Sequence, residues 1–432
     1  MGTGITGMDG TGAAVAEIVA VGSELLTPGH IDTNSLYLTG RLNDAGWEVH
    51  RKTVVGDGLE DIAEAVRTAL GRSRLVVLSG GLGPTEDDRT RAAVARALGR
   101  TTSRSGDVLD RLRRRFAERG FPMTPINERQ AEVIDGAEVL DNPHGTAPGQ
   151  WLEDGDRLLA LLPGPPRELR QVFEDGVLPR LRRLAGGRRL AVRTLHVTGV
   201  SESELDARLA PVYTSYPGVG TTVLAGMRHI SVKLSRWVDA GAGGDSVEGA
   251  TPAAPDLDEL SARIQAEMGD AIFSTAGETM EEVVGRLLRE SGKTLAVAES
   301  CTSGLLGASI TRVPGSSDYF RGGILCYSDE AKMRLCGVAP ETLAAHGAVS
   351  AETARELARG VRTALGSDIG VSITGIAGPG GGTDAKPVGL VYIGIADGER
   401  TLSRHRVMPG DRESVRERSA YLALSWLRRF LL

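Results

Sequence analysis

Cysteine is scarce in this chain: three in 432 residues, Cys301, Cys326 and Cys336, all in the last third. Their spacing has neither the CxxC pairs nor the histidine partners of a zinc site, and three thiols so placed exclude a disulfide framework. An excess of positive charge is also lacking. The formal net charge is -6, so there is no global basic footprint of the kind that releases counterions from nucleic acid. The one basic run, Arg111 to Gly120, reads as the solvated face of a helix. No apolar run approaches bilayer-spanning length, and the first dozen residues have neither the basic nor the apolar region of an export signal. The expectation is a cytoplasmic protein with no nucleic-acid partner and no membrane partner, and with residues 1–14 as a disordered tail.

Glycine is abundant instead, with 57 residues, which points to tight turns and backbone-lined pockets. The length calls for two or three domains. From Ala16 onward, short apolar runs (EIVAVG, WEVHRKTVVG, RLVVLSG) alternate with amphipathic segments (TNSLYLTGRLNDAG, LEDIAEAVRTALGR). That alternation predicts an α/β fold with a doubly wound sheet, whose ligands bind at the carboxyl ends of the strands. Two loops fall there, 22–34 and 79–88. In the second, Gly80, Gly81 and Gly83 let backbone N–H groups approach a phosphate, and Glu86, Asp87 and Asp88 suit a hard divalent cation. Equally, Thr85 with Asp88 three residues later reads as a capping box opening the next helix. Residue types alone leave both readings open.

After a basic segment, residues 189–274 read as a small α+β module, and the Gly-, Ala-, Ser- and Pro-rich run 239–256 as a flexible loop. A further α/β domain starts near Thr275. Within it TLAVAES, 294–300, reads as a strand and residues 301–313 as a helix, so Ser300 stands at a strand-to-helix junction. There it is either an N-cap or a nucleophile, with the N–H groups of Cys301, Thr302 and Ser303 as oxyanion donors. Lys332 is a candidate base, since a desolvated lysine can lose its proton near neutral pH, and Tyr327 can relay that proton. Cys301 and His346 are rival participants, but GxSxG is absent and no acidic orienter for His346 is evident. The glycine-rich loop 375–389, starting at Gly375 after a strand that carries Thr374, can line the pocket. Arg412 suits a substrate phosphate, or equally a salt bridge at the start of the last helix.

The ordered motifs GSELL, DTN, SGGLGPTEDD, NPHGTAPGQW and PGPPRE, followed by AESCTSG, YSDEAK, SITGIAGPGGG and PGDR, resemble the CinA family. The chain departs from the family pattern at TPGHID, by Thr27, Pro28 and Asp32. The resemblance implies a molybdopterin-binding-like domain over 15–188, a KH-like linking domain over 189–274 and a nicotinamide mononucleotide deamidase domain over 275–432. It implies hydrolysis of nicotinamide mononucleotide to nicotinic acid mononucleotide and ammonia by Ser300, Tyr327 and Lys332. Cys301, Thr302, Ser303, Thr374, Gly375 and Arg412 would then bind substrate, with no cofactor. For the first domain it implies ADP-ribose pyrophosphatase activity with a divalent metal, magnesium or similar, held by Asp87 and Asp88. Its pocket would comprise Glu24, Asn34, Gly80, Gly81, Gly83 and Thr85. A homodimer is the family expectation. The alternative is a molybdopterin-binding or competence and DNA-damage regulatory protein whose deamidase domain is inactive.

Overall fold

A computed structural model describes residues 14–239 and 254–432. Most of the expected tail (1–14) and flexible run (239–256) therefore lies outside the described residues. At their edges, Ala14 already opens a strand and Pro255 a helix. The chain divides into two compact units, 1–191 with 236–254, and 192–235 with 255–432.

The first unit runs β1 (Ala14–Val21), α1 (Thr33–Asp44), β2 (Trp47–Val55), α2 (Leu59–Leu70), β3 (Leu75–Ser79), α3 (Thr90–Leu98), β4 (Thr102–Arg104), α4 (Gly106–Glu118), β5 (Glu132–Ile134), β6 (Glu138–Leu140), β7 (Gly149–Asp154), β8 (Arg157–Leu162), α5 (Pro166–Val172) and α6 (Leu178–Leu184). Its sheet has the order β2-β1-β3-β8-β7-β6, parallel from β2 to β8 and antiparallel at the β7–β6 edge. β1 and β3 are buried along their whole length because both faces are covered, and hence they read as continuous apolar runs rather than alternating ones. α2 places Ile62, Ala63, Val66 and Leu70 on its inner stripe, the 3.6-residue periodicity seen in its sequence.

Next come β9 (Arg188–Val197), α7 (Glu202–Tyr213), β10 (Gly220–Ala225), β11 (Ile230–Asp239), α8 (Pro255–Met268) and β12 (Ile272–Ser274), whose strands form a sheet in the order β10-β11-β9-β12. The second unit continues with α9 (Met280–Glu290), β13 (Leu295–Glu299), α10 (Leu305–Thr311), β14 (Phe320–Leu325), α11 (Asp329–Cys336), α12 (Pro340–His346), α13 (Ala351–Leu365), β15 (Ile369–Gly375), β16 (Leu390–Ala396), β17 (Thr401–Val407) and α14 (Arg412–Leu431). Here the order is β14-β13-β15-β16-β17, with the first three strands parallel. α9 starts on a capping box, Thr279 with Glu282, and buries Met280, Val283, Val284 and Leu288. They join one core with β13, β15, β16 and α14.

Both large sheets share one topological feature. β1 lies between β2 and β3, and β13 between β14 and β15, so the chain leaves the central strand to one side and returns on the other. Outside the carboxyl end of such a strand the flanking connections part and leave a crevice. No helix among the described residues is long and apolar enough to cross a membrane.

Candidate functional site

At the second switch point the ladder fixes Ser300. Its N–H donates to the Ile373 carbonyl at 3.0 Å, and the Cys326 N–H donates to the Glu299 carbonyl at 2.9 Å. Ser300 is thus gripped between the end of β14, which leads to Tyr327, and the end of β15, which carries Thr374. It is 7% exposed, and its hydroxyl has no hydrogen-bond partner among the described residues. Lys332 sits on the first turns of α11, which Ser328 caps. Its side chain is 2% exposed and folds back, Nζ donating to the Tyr327 carbonyl at 2.9 Å and lying 3.6 Å from Asp329 Oδ1. The Tyr327 ring is exposed. Its hydroxyl accepts from Arg412 Nη2 at 3.5 Å, while Arg412 Nη1 donates to the Gly378 carbonyl at 2.7 Å. Arg412 therefore ties the start of α14 to both Tyr327 and the glycine-rich loop. Thr374 is buried, and its hydroxyl is spent on the Ala348 carbonyl at 2.7 Å. Gly375 ends β15 close against Val391 and Leu390.

The expected helix over 301–313 is corrected. Residues 301–304 form a turn, with Ser303 at φ 48° and Gly304 at φ 95°, and α10 begins only at Leu305. A left-handed pair of residues cannot continue an α-helix. The first-turn donors of α10 are taken by a residue that pattern reading passed over. Buried Glu299 accepts from the N–H groups of Gly304, Leu306 and Gly307 at 3.0, 3.1 and 2.8 Å. Ser303 N–H closes the turn onto the Ser300 carbonyl at 3.2 Å, so of the three expected oxyanion donors those of Cys301 and Thr302 remain. The Thr302 hydroxyl is buried without a partner among the described residues, and the Thr302 carbonyl accepts from Arg416 at 3.1 Å. Glu299 was legible only as the E of AES; its role depends on the turn that folds back over it.

The rivals fare differently. Burial pushes the Cys301 thiol up to about 11, which holds it in the unreactive protonated form at neutral pH. His346 ends α12, half exposed, with Nδ1 3.9 Å from Glu352; no contact joins it to Ser300.

At the first switch point a cavity of about 590 Å³ opens, lined by Glu24, Asn34, Gly80, Gly81, Gly83, Asp87 and Asp88, together with Pro163–Pro166, Glu168, Thr146 and Ala147. Gly80 (φ 100°) and Gly81 (φ 65°) are required by the turn: a Cβ would lie 2.2 Å from the Val21 carbonyl oxygen at Gly80 and 2.2 Å from the Thr90 hydroxyl at Gly81. Arg91, buried, pins the loop by donating to the Leu82 and Gly83 carbonyls at 2.7 and 3.0 Å. Asn34 donates to the Gly164 carbonyl at 2.7 Å, and Asn142 to Glu168 at 2.7 Å and the Ala147 carbonyl at 2.8 Å. Thus the NPHGTAPGQ and PGPPRE turns wall the cavity as well as turn the chain. Gln130 carries no signal in the sequence pattern: it is 2% exposed, lines the cavity and has a buried Oε1 without a partner among the described residues.

Thr85 does not line this cavity, nor does it start the helix. Its N–H and hydroxyl donate to Asp88 Oδ2 at 2.8 and 2.5 Å inside the loop, and α3 begins at Thr90 with no side-chain cap. Glu86 pairs with Arg129 at 2.6 Å. Among the described residues no three His, Cys, Asp or Glu side chains gather as a metal-holding group. Asp87 and Asp88, which both line the cavity, are the residues that would hold a magnesium-type ion, whose other ligands come from water and substrate phosphates.

The family model described as "CinA C-terminal domain" matches residues 277–431, and that described as "Probable molybdopterin binding domain" matches residues 17–183. A CinA-like protein of Acidobacterium capsulatum is 45% identical over 422 residues, covering 97% of this chain and all of that one. Another CinA-like protein, of Solibacter usitatus, is 47% identical over 414 residues, 96% of this chain and 97% of its own. Among solved structures, the competence damage-inducible protein A of Klebsiella pneumoniae is 33% identical with a TM-score of 0.34, covering 35% of this chain and 96% of that one. With full-length identity at this level, the chain belongs to the CinA family.

Proposed function

We propose that the second unit hydrolyses the carboxamide of nicotinamide mononucleotide, giving nicotinic acid mononucleotide and ammonia. The observation that carries this reading is the placement of Ser300: an unpartnered hydroxyl at the end of the central parallel strand, between the strand end leading to Tyr327 and Lys332 and the one carrying Thr374. In the first half-reaction the Ser300 oxygen bonds to the amide carbon. Its proton passes to Lys332, directly or by way of Tyr327, and then to the departing nitrogen, which leaves as ammonia. In the second half-reaction water attacks the ester, the acid departs and the proton returns to Ser300. The N–H groups of Cys301 and Thr302 are the donors for the oxyanion. Arg412 meets the 5'-phosphate, exchanging its long contact to Tyr327 for a charge-assisted one.

For the first unit we propose hydrolysis of the pyrophosphate of ADP-ribose in the 590 Å³ cavity, whose size suits a nucleotide. Asp87 and Asp88 would hold a divalent ion there, which supplies charge neutralisation at the phosphates. The glycine loop contributes backbone donors, and Asn34 and Arg91 keep the walls in register.

The decisive experiment incubates wild type, Ser300→Ala and Cys301→Ala with nicotinamide mononucleotide and measures ammonia and the acid product. Loss in Ser300→Ala with activity kept in Cys301→Ala supports the serine mechanism, and full activity in Ser300→Ala sinks it. A parallel assay of ADP-ribose with and without chelator, on Asp87→Ala and Asp88→Ala, tests the first unit.

A further inference from the structure

A second cavity of about 590 Å³ lies within the second unit and is used by neither reaction. It is walled by the β9–α7 turn, the β10–β11 turn, the end of β17 and one face of α14. Arg406, Arg418 and Arg429 reach it from the last two elements, and none of the three has a carboxylate partner among the described residues. Among the described residues Arg418 Nε is buried without a hydrogen-bond partner, and so is His229 Nδ1 across the cavity. Arg228 adds a further cation, held only loosely, 3.7 Å from each of Glu281 and Glu417. Against these stands a single carboxylate in the lining, Glu204.

Such a wall is costly when empty. Guanidinium groups gathered on one wall repel one another, weakly where they are exposed as Arg406 and Arg429 are, and a buried N–H with no acceptor, as at Arg418, loses its hydration without replacement. Both costs are relieved by one kind of ligand, a multiply charged oxyanion, whose oxygens match the guanidinium fork. The N-terminus of α7, capped by Ser201, faces the same space and adds to the positive potential. Trp426 and Tyr421 complete the wall with flat apolar surface, which suits a base or other ring beside the phosphate.

We propose that this cavity is a third ligand site, binding a nucleotide-sized phosphorylated small molecule through its phosphate groups. The phosphates lie among Arg406, Arg418 and Arg429, and the ring lies toward Trp426. This site is independent of whether either hydrolytic reading holds.

The test measures binding of inorganic pyrophosphate and of ADP to the full chain by calorimetry, with amide hydrogen exchange locating the protection. The expected result is binding that weakens with salt and slows exchange over residues 197–204 and 226–230. Arg418→Gln combined with Arg429→Gln is expected to lower that affinity at least tenfold. Arg406→Gln, an exposed change that leaves the fold untouched, lowers it several-fold, and thermal unfolding of each variant checks that the chain is folded. Gly80→Val, which displaces the first-unit loop, leaves this binding in place. Protection confined to 22–34 and 79–88, unchanged affinity in the arginine variants, or binding of single-stranded RNA with none of ADP or pyrophosphate would each overturn the proposal.

Discussion

The two switch points pose the same geometric problem and solve it with opposite chemistry. After β3 the chain turns through glycines in a loop whose Leu82 and Gly83 carbonyls are held from behind by Arg91, and the result is an open cavity of about 590 Å³ with carboxylates on its rim. After β13 the turn is short and buried: Cys301 and Thr302 are inside, Ser303 takes the left-handed conformation, and Glu299 collects the N–H groups of the next helix. On the proposed reading the backbone-lined crevice binds, and the buried turn, which presents one hydroxyl, reacts. The difference lies in what holds each turn: Arg91 donates to two loop carbonyls in the first unit, and Glu299 accepts from three N–H groups in the second.

The largest expected effect breaks that contrast at Ser300. Ser300→Ala is expected to cut ammonia release by at least about a thousandfold, leaving ADP-ribose hydrolysis as it was, with both assays run on one preparation. Comparable loss of both activities would mean that the two crevices do not work separately. Next in size is Gly80→Val. A Cβ there meets a backbone oxygen at 2.2 Å on a left-handed residue, so the loop must move. ADP-ribose hydrolysis is expected to fall at least tenfold, with strain of about 1–3 kcal/mol read from thermal unfolding, while deamidation persists.

Glu299→Gln probes the buried turn itself. The amide keeps the size but offers a single acceptor oxygen to three N–H groups, and it removes the negative charge at the start of α10. A loss of about 1–3 kcal/mol in stability is expected, and about tenfold in deamidation, because Ser300 is the next residue along. Rescue of neither stability nor rate by Glu299→Asp would show that the carboxylate's reach, and not just its charge, sets the turn.

Periodicity made the frame legible. Both faces of β1 and β3 are covered, so their strands read as unbroken apolar runs, and α2 and α9 show inner stripes at helical spacing. Ser300, Tyr327, Lys332 and Arg412 were legible as residue types; Ser300 follows β13, Tyr327 follows the neighbouring β14, and Lys332 and Arg412 each contact Tyr327. What pattern could not reveal depends on three-dimensional return of the chain. Thr85 and Asp88 look like a capping box, yet they bond within the loop, because α3 starts two residues beyond Asp88. The helix assigned from Cys301 was broken by Ser303 and Gly304, since nothing local announces a left-handed serine. Glu299 and Gln130 take their roles from partners five to sixteen residues away, across turns that carry no periodic signal.

The smallest effect belongs to Cys301, the residue beside the proposed nucleophile. Its thiol is buried and pushed up to about 11, chiefly by desolvation, so at pH 8 its thiolate fraction is roughly a hundredfold below that of an ordinary cysteine. Cys301→Ala is therefore expected to change deamidation by no more than about threefold, through packing. Iodoacetamide should label the thiol in native protein far more slowly than in the unfolded chain. The sign of the pH dependence follows from the same shift. Between the ordinary thiol value and about 11 the native state keeps a proton that the unfolded chain releases, so this residue's contribution to stability declines as pH rises through that window. Rapid labelling of native protein at pH 8, with parallel loss of ammonia release, would reverse the contrast between the two crevices by making the buried turn the home of an exposed thiolate.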